Sequence, residues 1–187
     1  DPCPIGNYQN EESSKTCKLC LPGTYNDETG QALCKGCIAG TFSSEIGLTS
    51  YNQCSKCSGG QYSTETGLTS NTECKGRCSK GTYSTEVGQT EATCKSCQAG
   101  TFNDETGRPS CKNDCDAGSY INSDKTACSV CNLGQYQNQN DQSSCKSCVP
   151  GTYNNATGKL SCKSCHIGMY TTENGKSSCS SCKVGMH

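Results

Sequence analysis

The sequence predicts a small disulfide-rich all-β fold: an elongated rod of tandem short β-hairpin modules, one disulfide each, with no large hydrophobic core. Three observations predict it. Twenty-one cysteines in 187 residues recur as C-x-x-C pairs at a period of 17 to 20, the mark of one small unit stacked many times. Each unit reads C-x-x-G-x-(Tyr/Phe), a polar turn, then C-x-x-C. Leu, Ile, Val and Phe together number 18 of 187 residues. Below about a fifth, a chain normally lacks the apolar surface to offset the ordering of its backbone. Without cross-links this chain would be disordered. Its cysteine content exceeds the ~8–10% of a disulfide scaffold, and such scaffolds persist in oxidising compartments, so the chain is expected to be extracellular or at the cell surface.

The units start at Cys3, Cys20, Cys37, Cys57, Cys78, Cys97, Cys115, Cys131, Cys148, Cys165 and Cys182, a continuous array over residues 1–187 of about ten repeats of 16–21 residues. Both ends fall inside a repeat: Cys3 has no leading partner, and Cys182-Lys183-Val184-Gly185-Met186-His187 stops early. The expectation is a window cut from a longer array. In Cys20-Leu21-Pro22-Gly23-Thr24-Tyr25, the stretch from Gly23 to Asn26 suits a short strand. A polar turn follows, and a second strand is expected to return ahead of Cys34. Gly30, five residues after Tyr25, has the spacing of a left-handed turn position. Ser13, Lys125 and Asp141 replace that glycine in three repeats, so the turn is not expected to be obligatory. Length variation falls after it, as in Gly47-Leu48-Thr49-Ser50-Tyr51-Asn52-Gln53-Cys54.

A glycine three residues after the second cysteine occurs in all eleven units, from Gly6 to Gly185, and suggests positive φ or close backbone approach. Two residues later stands Tyr8, Tyr25, Phe42, Tyr62, Tyr83, Phe102, Tyr120, Tyr136, Tyr153 or Tyr170, with His187 in the last unit. Such aromatics can cover the adjacent disulfide and stack module on module as a thin spine; an exposed ligand-binding row is the alternative. Spacing alone does not prove connectivity. The economical scheme joins each second cysteine to the next first one: Cys3–Cys17, Cys20–Cys34, Cys37–Cys54, Cys57–Cys74, Cys78–Cys94, Cys97–Cys111, Cys115–Cys128, Cys131–Cys145, Cys148–Cys162 and Cys165–Cys179. Cys182 is then unpaired, which accounts for the odd count.

C-x-x-G-x-Y with a closing C-x-x-C, as in Cys148-Val149-Pro150-Gly151-Thr152-Tyr153 to Cys162-Lys163-Ser164-Cys165, resembles the ephrin-receptor-like cysteine-rich repeat. It is also similar to the small single-disulfide module of tumour-necrosis-factor receptors. The resemblance covers the whole chain. It implies hairpins closed by one disulfide, elongated arrays and an extracellular location, but not one function. Two departures, Cys74-Lys75-Gly76-Arg77-Cys78 and Cys111-Lys112-Asn113-Asp114-Cys115, widen the pair to C-x-x-x-C and are expected to alter local twist without breaking a bridge.

Zinc competes for such spacing. Against it stand the equivalence of every unit, the glycine lying three residues beyond the second cysteine, and the relaxation to C-x-x-x-C. A redox C-x-x-C needs a low-pKa thiolate in a helical context absent here. His166 and His187 are the two histidines, neither paired with a serine or carboxylate. No catalytic, cofactor-binding or metal-binding residue is therefore assigned, and no enzyme is expected. The acidic turns, such as Asp27-Glu28 and Asp104-Glu105, lack a calcium-loop pattern and read as solvated. Lys18, Lys35, Lys75, Lys95, Lys112, Lys146 and Lys163 follow first cysteines. They read as edge residues that discourage aggregation, or as a charge ladder for lateral assembly against the acidic turns.

Asn155-Ala156-Thr157 is a sequon on a turn tip, making Asn155 the candidate glycosylation site. Net charge is −1, which gives no electrostatic reason for a nucleic-acid or anionic-membrane partner. No apolar run reaches the ~20 residues of a membrane span. The partners expected are other copies, other extracellular structural proteins, and glycans. The function expected is a structural component of an extracellular rod, fibre or filament, such as a surface fibril or flagellar-hair-like appendage. Ten units at about 10 Å each would reach on the order of 100 Å. The alternative is the stalk of a receptor, adhesin or variant surface protein whose ligand-binding part lies elsewhere.

Overall fold

The computed structural model describes residues 1–11 and 14–182. The expectations placed on Ser13, Gly185 and His187 lie outside them. Each hairpin begins at a tight turn that its sequence dictates. In Leu21-Pro22-Gly23-Thr24 the Thr24 N–H donates to the Leu21 carbonyl at 3.1 Å, and Gly23 sits at φ +78°. That is the third position of a type II turn, which excludes most side chains, while Pro22 pre-sets the second. The same bond recurs, for example from Thr41 to Ile38 and from Thr152 to Val149.

Two residues of strand follow. Thr24–Tyr25 pairs antiparallel with Lys35–Gly36, with Thr24 opposite Gly36 and Tyr25 opposite Lys35. The returning strand is therefore the interior of the C-x-x-C pair, not the stretch ahead of its first cysteine. The reason is geometric. Successive strand side chains alternate in direction, so cysteines three apart point opposite ways. Cys34 can reach back into its own module while Cys37 opens the next. Nine two-stranded sheets of this kind occur among the described residues. In all ten pairs, from Cys3–Cys17 to Cys165–Cys179, a second cysteine is bonded to the next first one, with Cα atoms 5.5–6.0 Å apart. That separation is ordinary for a disulfide.

The chain divides into two compact units, Asp1–Lys95 with Thr106–Ser110, and Ser96–Glu105 with Cys111–His187. In the first, the hairpins Asn7–Tyr8/Lys18–Leu19, Thr24–Tyr25/Lys35–Gly36, Thr41–Phe42/Ser55–Lys56 and Gln61–Tyr62/Gly76–Arg77 follow one another. Main-chain bonds join each to the next. The turn glycine of one module donates its N–H to the leading cysteine carbonyl of the module before: Gly30 to Cys3, Gly47 to Cys20, Gly67 to Cys37, Gly88 to Cys57 and Gly107 to Cys78, at 2.7–2.9 Å. A second rung runs forward from the residue after the aromatic: Gln9 to Gln31, Asn26 to Leu48, Ser43 to Leu68, Ser63 to Gln89 and Ser84 to Arg108.

The second unit repeats this design. Ser119–Ile121 pairs with Cys128–Val130, Gln135–Tyr136 with Lys146–Ser147, Thr152–Tyr153 with Lys163–Ser164, and Met169–Tyr170 with Ser180–Ser181. Asp141, Gly158 and Gly175 donate to the carbonyls of Cys115, Cys131 and Cys148. Where the pair widens to Cys111–Cys115, Phe102 and Lys112 form a single bridge in place of a two-residue ladder, yet Cys111 is still bonded to Cys97. The turn also survives the loss of glycine, contrary to the sequence reading: Lys125 and Asp141 stand at φ +57° and +58°. The Asp141 carboxylate accepts the Cys115 N–H at 2.9 Å while its own N–H binds the Cys115 carbonyl. At Lys125, the preceding Asn122 carbonyl accepts the Lys125 N–H at 2.9 Å.

Cysteine is the residue type buried most often. Cys20, Cys37, Cys57, Cys74, Cys131 and Cys148 are fully enclosed. Three small apolar clusters supplement them, each uniting an aromatic with the next module's cysteine: Tyr25 with Cys37 and Cys54, Phe42 with Cys57 and Cys74, and Phe102 with Cys115. The longer modules do more than extend a turn. They carry Leu48 and Leu68 in these clusters, at the position after the turn glycine, and their extra residues form single 3₁₀ turns at Tyr51–Gln53 and Asn71–Glu73.

The recurrent glycine serves a second purpose. A methyl group on Gly6 would lie 2.5 Å from the Gly47 carbonyl oxygen, two modules on, and one on Gly118 would lie 2.5 Å from that of Gly158. At these places a module touches both its neighbour and the module after that. Gly151 shares the positive φ, at +80°, but a methyl there would meet nothing within 4 Å. The contrast separates strain from contact. Gly118→Ala is expected to cost on the order of 3 kcal/mol and Gly151→Ala about 1 kcal/mol. Hydrogen exchange at the Cys131 and Cys165 amides, which bond to the Gly118 and Gly151 carbonyls, measures each; equal losses would refute the contact.

Complete reduction is expected to unfold the array. Each bridge closes a loop of 13–17 residues, worth about 3 kcal/mol in the chain-entropy account. Thiol titration of the native chain should find one reactive thiol and the fully reduced chain all 21. Retention of the circular-dichroism spectrum after full reduction would contradict this.

Candidate functional site

The surface that the modules present is built position by position. The residue after each aromatic turns inward. Asn26 and Asn154 are wholly buried, and Ser43, Ser63, Ser84, Asn103 and Gln137 nearly so. Their side chains clamp the hairpin behind or their own return strand: Asn26 Nδ2 donates to the Asn7 carbonyl at 2.7 Å, Asn154 Nδ2 to that of Gln135 at 3.0 Å, and Gln137 Nε2 to that of Ser144 at 2.8 Å. Buried amides are costly unless so paired. The sequence carried a signal for this position. Its occupants are Gln9, Asn26, Ser43, Ser63, Ser84, Asn103, Ile121, Gln137, Asn154 and Thr171, none of them charged.

The lysines after the first cysteines reach back over their own hairpins. Lys18 meets Glu11 at 2.6 Å, Lys35 meets Asp27 and Glu28 at 2.8 and 2.9 Å, and Lys112 meets Asp104 at 3.0 Å. Lys146 and Lys163 donate instead to the amide oxygens of Asn138 and Asn155, at 2.8 and 3.3 Å. Lys112 also lies 5.0 Å from the centre of the Phe102 ring. These five lysines are engaged within their own modules, which leaves less of a charge ladder than the sequence suggested. Exposed pairs of this kind add little stability.

They do move protons. Hydrogen bonds from Lys18, Lys35 and Lys176 hold the carboxyls of Glu11, Asp27 and Glu173 below their ordinary range, and the Thr69 hydroxyl and N–H do so for Glu73. Lys35 is raised in turn by Asp27 and then Glu28. A carboxyl depressed by folding contributes stability above its unfolded value, near 4, and loses it as pH falls through its folded value. NMR titration should place the Glu11, Asp27 and Glu173 midpoints below model-peptide values, and 1 M salt should move them back upward. Midpoints at the model values in low salt would refute the pairing.

Of the remaining residues singled out in the sequence, Cys182 is exposed and is the free thiol among the described residues. His166 is exposed in a C-x-x-G turn. Asn155 is exposed in its turn, with its Oδ1 accepting from Lys163. Among the described residues no three of His, Cys, Asp or Glu gather as a metal site, and no helix is long and apolar enough to cross a membrane. The concave features lie at module junctions. One groove of about 200 Å³ is lined by Tyr8, Asn10, Leu21, Thr24, Leu33 and Cys34. Another, of about 220 Å³, is lined by Tyr153, Asn155, His166, Met169, Ser177, Ser178 and Cys179. The two use equivalent repeat positions.

Residues 1–30 and 118–159 match the family model for tyrosine-protein kinase ephrin type A/B receptor-like repeats. No curated protein matches the chain. The same disulfide hairpin recurs within and between the two matched stretches, consistent with tandem cysteine-rich repeats of the ephrin-receptor-like type. Repeats of this kind are typically structural or binding modules. The bridges and the family likeness together point to an extracellular or cell-surface setting.

Proposed function

We propose that the chain is a structural component of an extracellular rod, fibre or filament assembled from disulfide-stapled repeats. One observation supports this reading above the rest: the junctions between modules are made by main-chain atoms at repeat-equivalent positions. Gly47 donating to Cys20 in one unit has its counterpart in Gly158 donating to Cys131 in the other. Such a junction depends on the turn and the cysteine, so modules can be multiplied while their surfaces vary. Repeat arrays gain stability from identical nearest-neighbour interfaces in the same way. A structural element needs this regularity, whereas a ligand-binding head needs one module unlike the others.

Electron microscopy of the native material tests the proposal. Repeating fibres with a fixed axial rise are the expected result. Isolated, membrane-tethered stalks ending in a separate head would overturn it in favour of a receptor or adhesin stalk.

A further inference from the structure

We infer that Asn155 carries an N-linked glycan whose first sugar seats in the junction groove between Tyr153 and Met169. Asn155 heads the sequon Asn155-Ala156-Thr157, is exposed, and lines that groove. Its Oδ1 is held by Lys163 Nζ at 3.3 Å, which leaves Nδ2 as the atom to be modified.

The second observation is the groove's wall. At the equivalent junction near the start of the chain, Asn10 occupies the place of Asn155 but is followed by Glu11 and Glu12, not a sequon. There the wall is Leu21, Thr24 and Leu33; here the same positions are His166, Met169 and Ser178, with Ser177 beside them. The groove whose rim bears the sequon thus offers hydrogen-bonding groups at His166, Ser177 and Ser178. Tyr153 and Met169 supply the apolar face, and the histidine and serines supply partners for hydroxyl and acetamido groups. That mixture suits a sugar, which has both kinds of surface.

In the modification, Asn155 Nδ2 loses a proton and bonds to C1 of the first sugar of a lipid-pyrophosphate-linked oligosaccharide. The C1–O bond to the pyrophosphate breaks, and the lipid pyrophosphate leaves with the electron pair. The inference rests on the extracellular reading, because the donor acts along the secretory route.

The full chain secreted from a eukaryotic cell provides the test. Glycosidase release in heavy-oxygen water should convert Asn155 to labelled Asp, and Thr157→Ala, which keeps Asn155, should abolish the label. Hydrogen exchange at Met169 and Tyr170 should be slower by about threefold or more in the glycosylated chain. Trimming to one sugar should preserve that protection, and complete removal should erase it. An unmodified Asn155 in secreted protein whose ten bridges are intact by thiol titration overturns the inference while leaving the extracellular reading standing. A modified Asn155 with unchanged exchange overturns the seat.

Discussion

The bridge between a second cysteine and the next first cysteine is the constraint from which the other features follow. A two-residue strand pair cannot hold itself together in water. Here each such pair closes a loop of 13–17 residues with one covalent link. At about 3 kcal/mol per loop, ten links are large beside the 5–15 kcal/mol of net stability typical of a domain. They act where the chain has little else to offer. The bridges also fill the space that apolar side chains would otherwise occupy, since the most enclosed residues include Cys20, Cys37, Cys57 and Cys74. One residue type thus supplies both the cross-link and the largest single share of the interior.

Given closed hairpins, stacking is a question of where backbone polar groups go. The turn of one module carries an N–H pointing out of its hairpin, and the leading cysteine of the module before carries a free carbonyl. The two meet at 2.7–2.9 Å in unit after unit. Glycine enters twice: at Gly30 and its equivalents because the turn takes positive φ, and at Gly6, Gly23 and Gly118 because, besides a positive φ, another carbonyl lies where a side chain would be. The first requirement bends, as Lys125 and Asp141 prove by adopting φ near +57° with local hydrogen-bonding support. The second has no such substitute, because no rearrangement of a side chain removes a Cβ.

The legible part of this fold is the part encoded within a single repeat. Cysteine spacing, the glycine of the type II turn and the aromatic two residues on can be read because each is required by geometry local to some 15 residues. The strand inside C-x-x-C escaped that reading because two residues such as Lys35 and Gly36 carry no alternation or β-propensity of their own; their partner, not their composition, makes them a strand. The inward position after the aromatic was visible as an absence of charge but is polar, and polarity ordinarily signals a surface. Asn26 is buried because its amide has a main-chain acceptor waiting in the preceding module. The contact of Gly6 with Gly47 spans two modules and has no local signature beyond a glycine that φ alone already explains. The candidate site was legible only as a sequon; the groove beside it exists because two hairpins stack.

A surface freed from structural duty can diverge without harm, and the junction grooves illustrate this. Leu21 and His166 occupy one repeat position, as do Leu33 and Ser178. Neither exchange touches a main-chain rung between modules, since those bonds run through glycines, cysteines, the residue after the aromatic and the residue after the turn glycine. The same separation explains why the lysines after the first cysteines can pair with acids in Asp27 and Asp104 but with amides in Asn138 and Asn155. What the array keeps constant is its backbone and its sulfur. What it varies is the chemistry shown to the outside, one module at a time, and a local modification such as a glycan can be accommodated at a single junction while the rest of the array is unaffected.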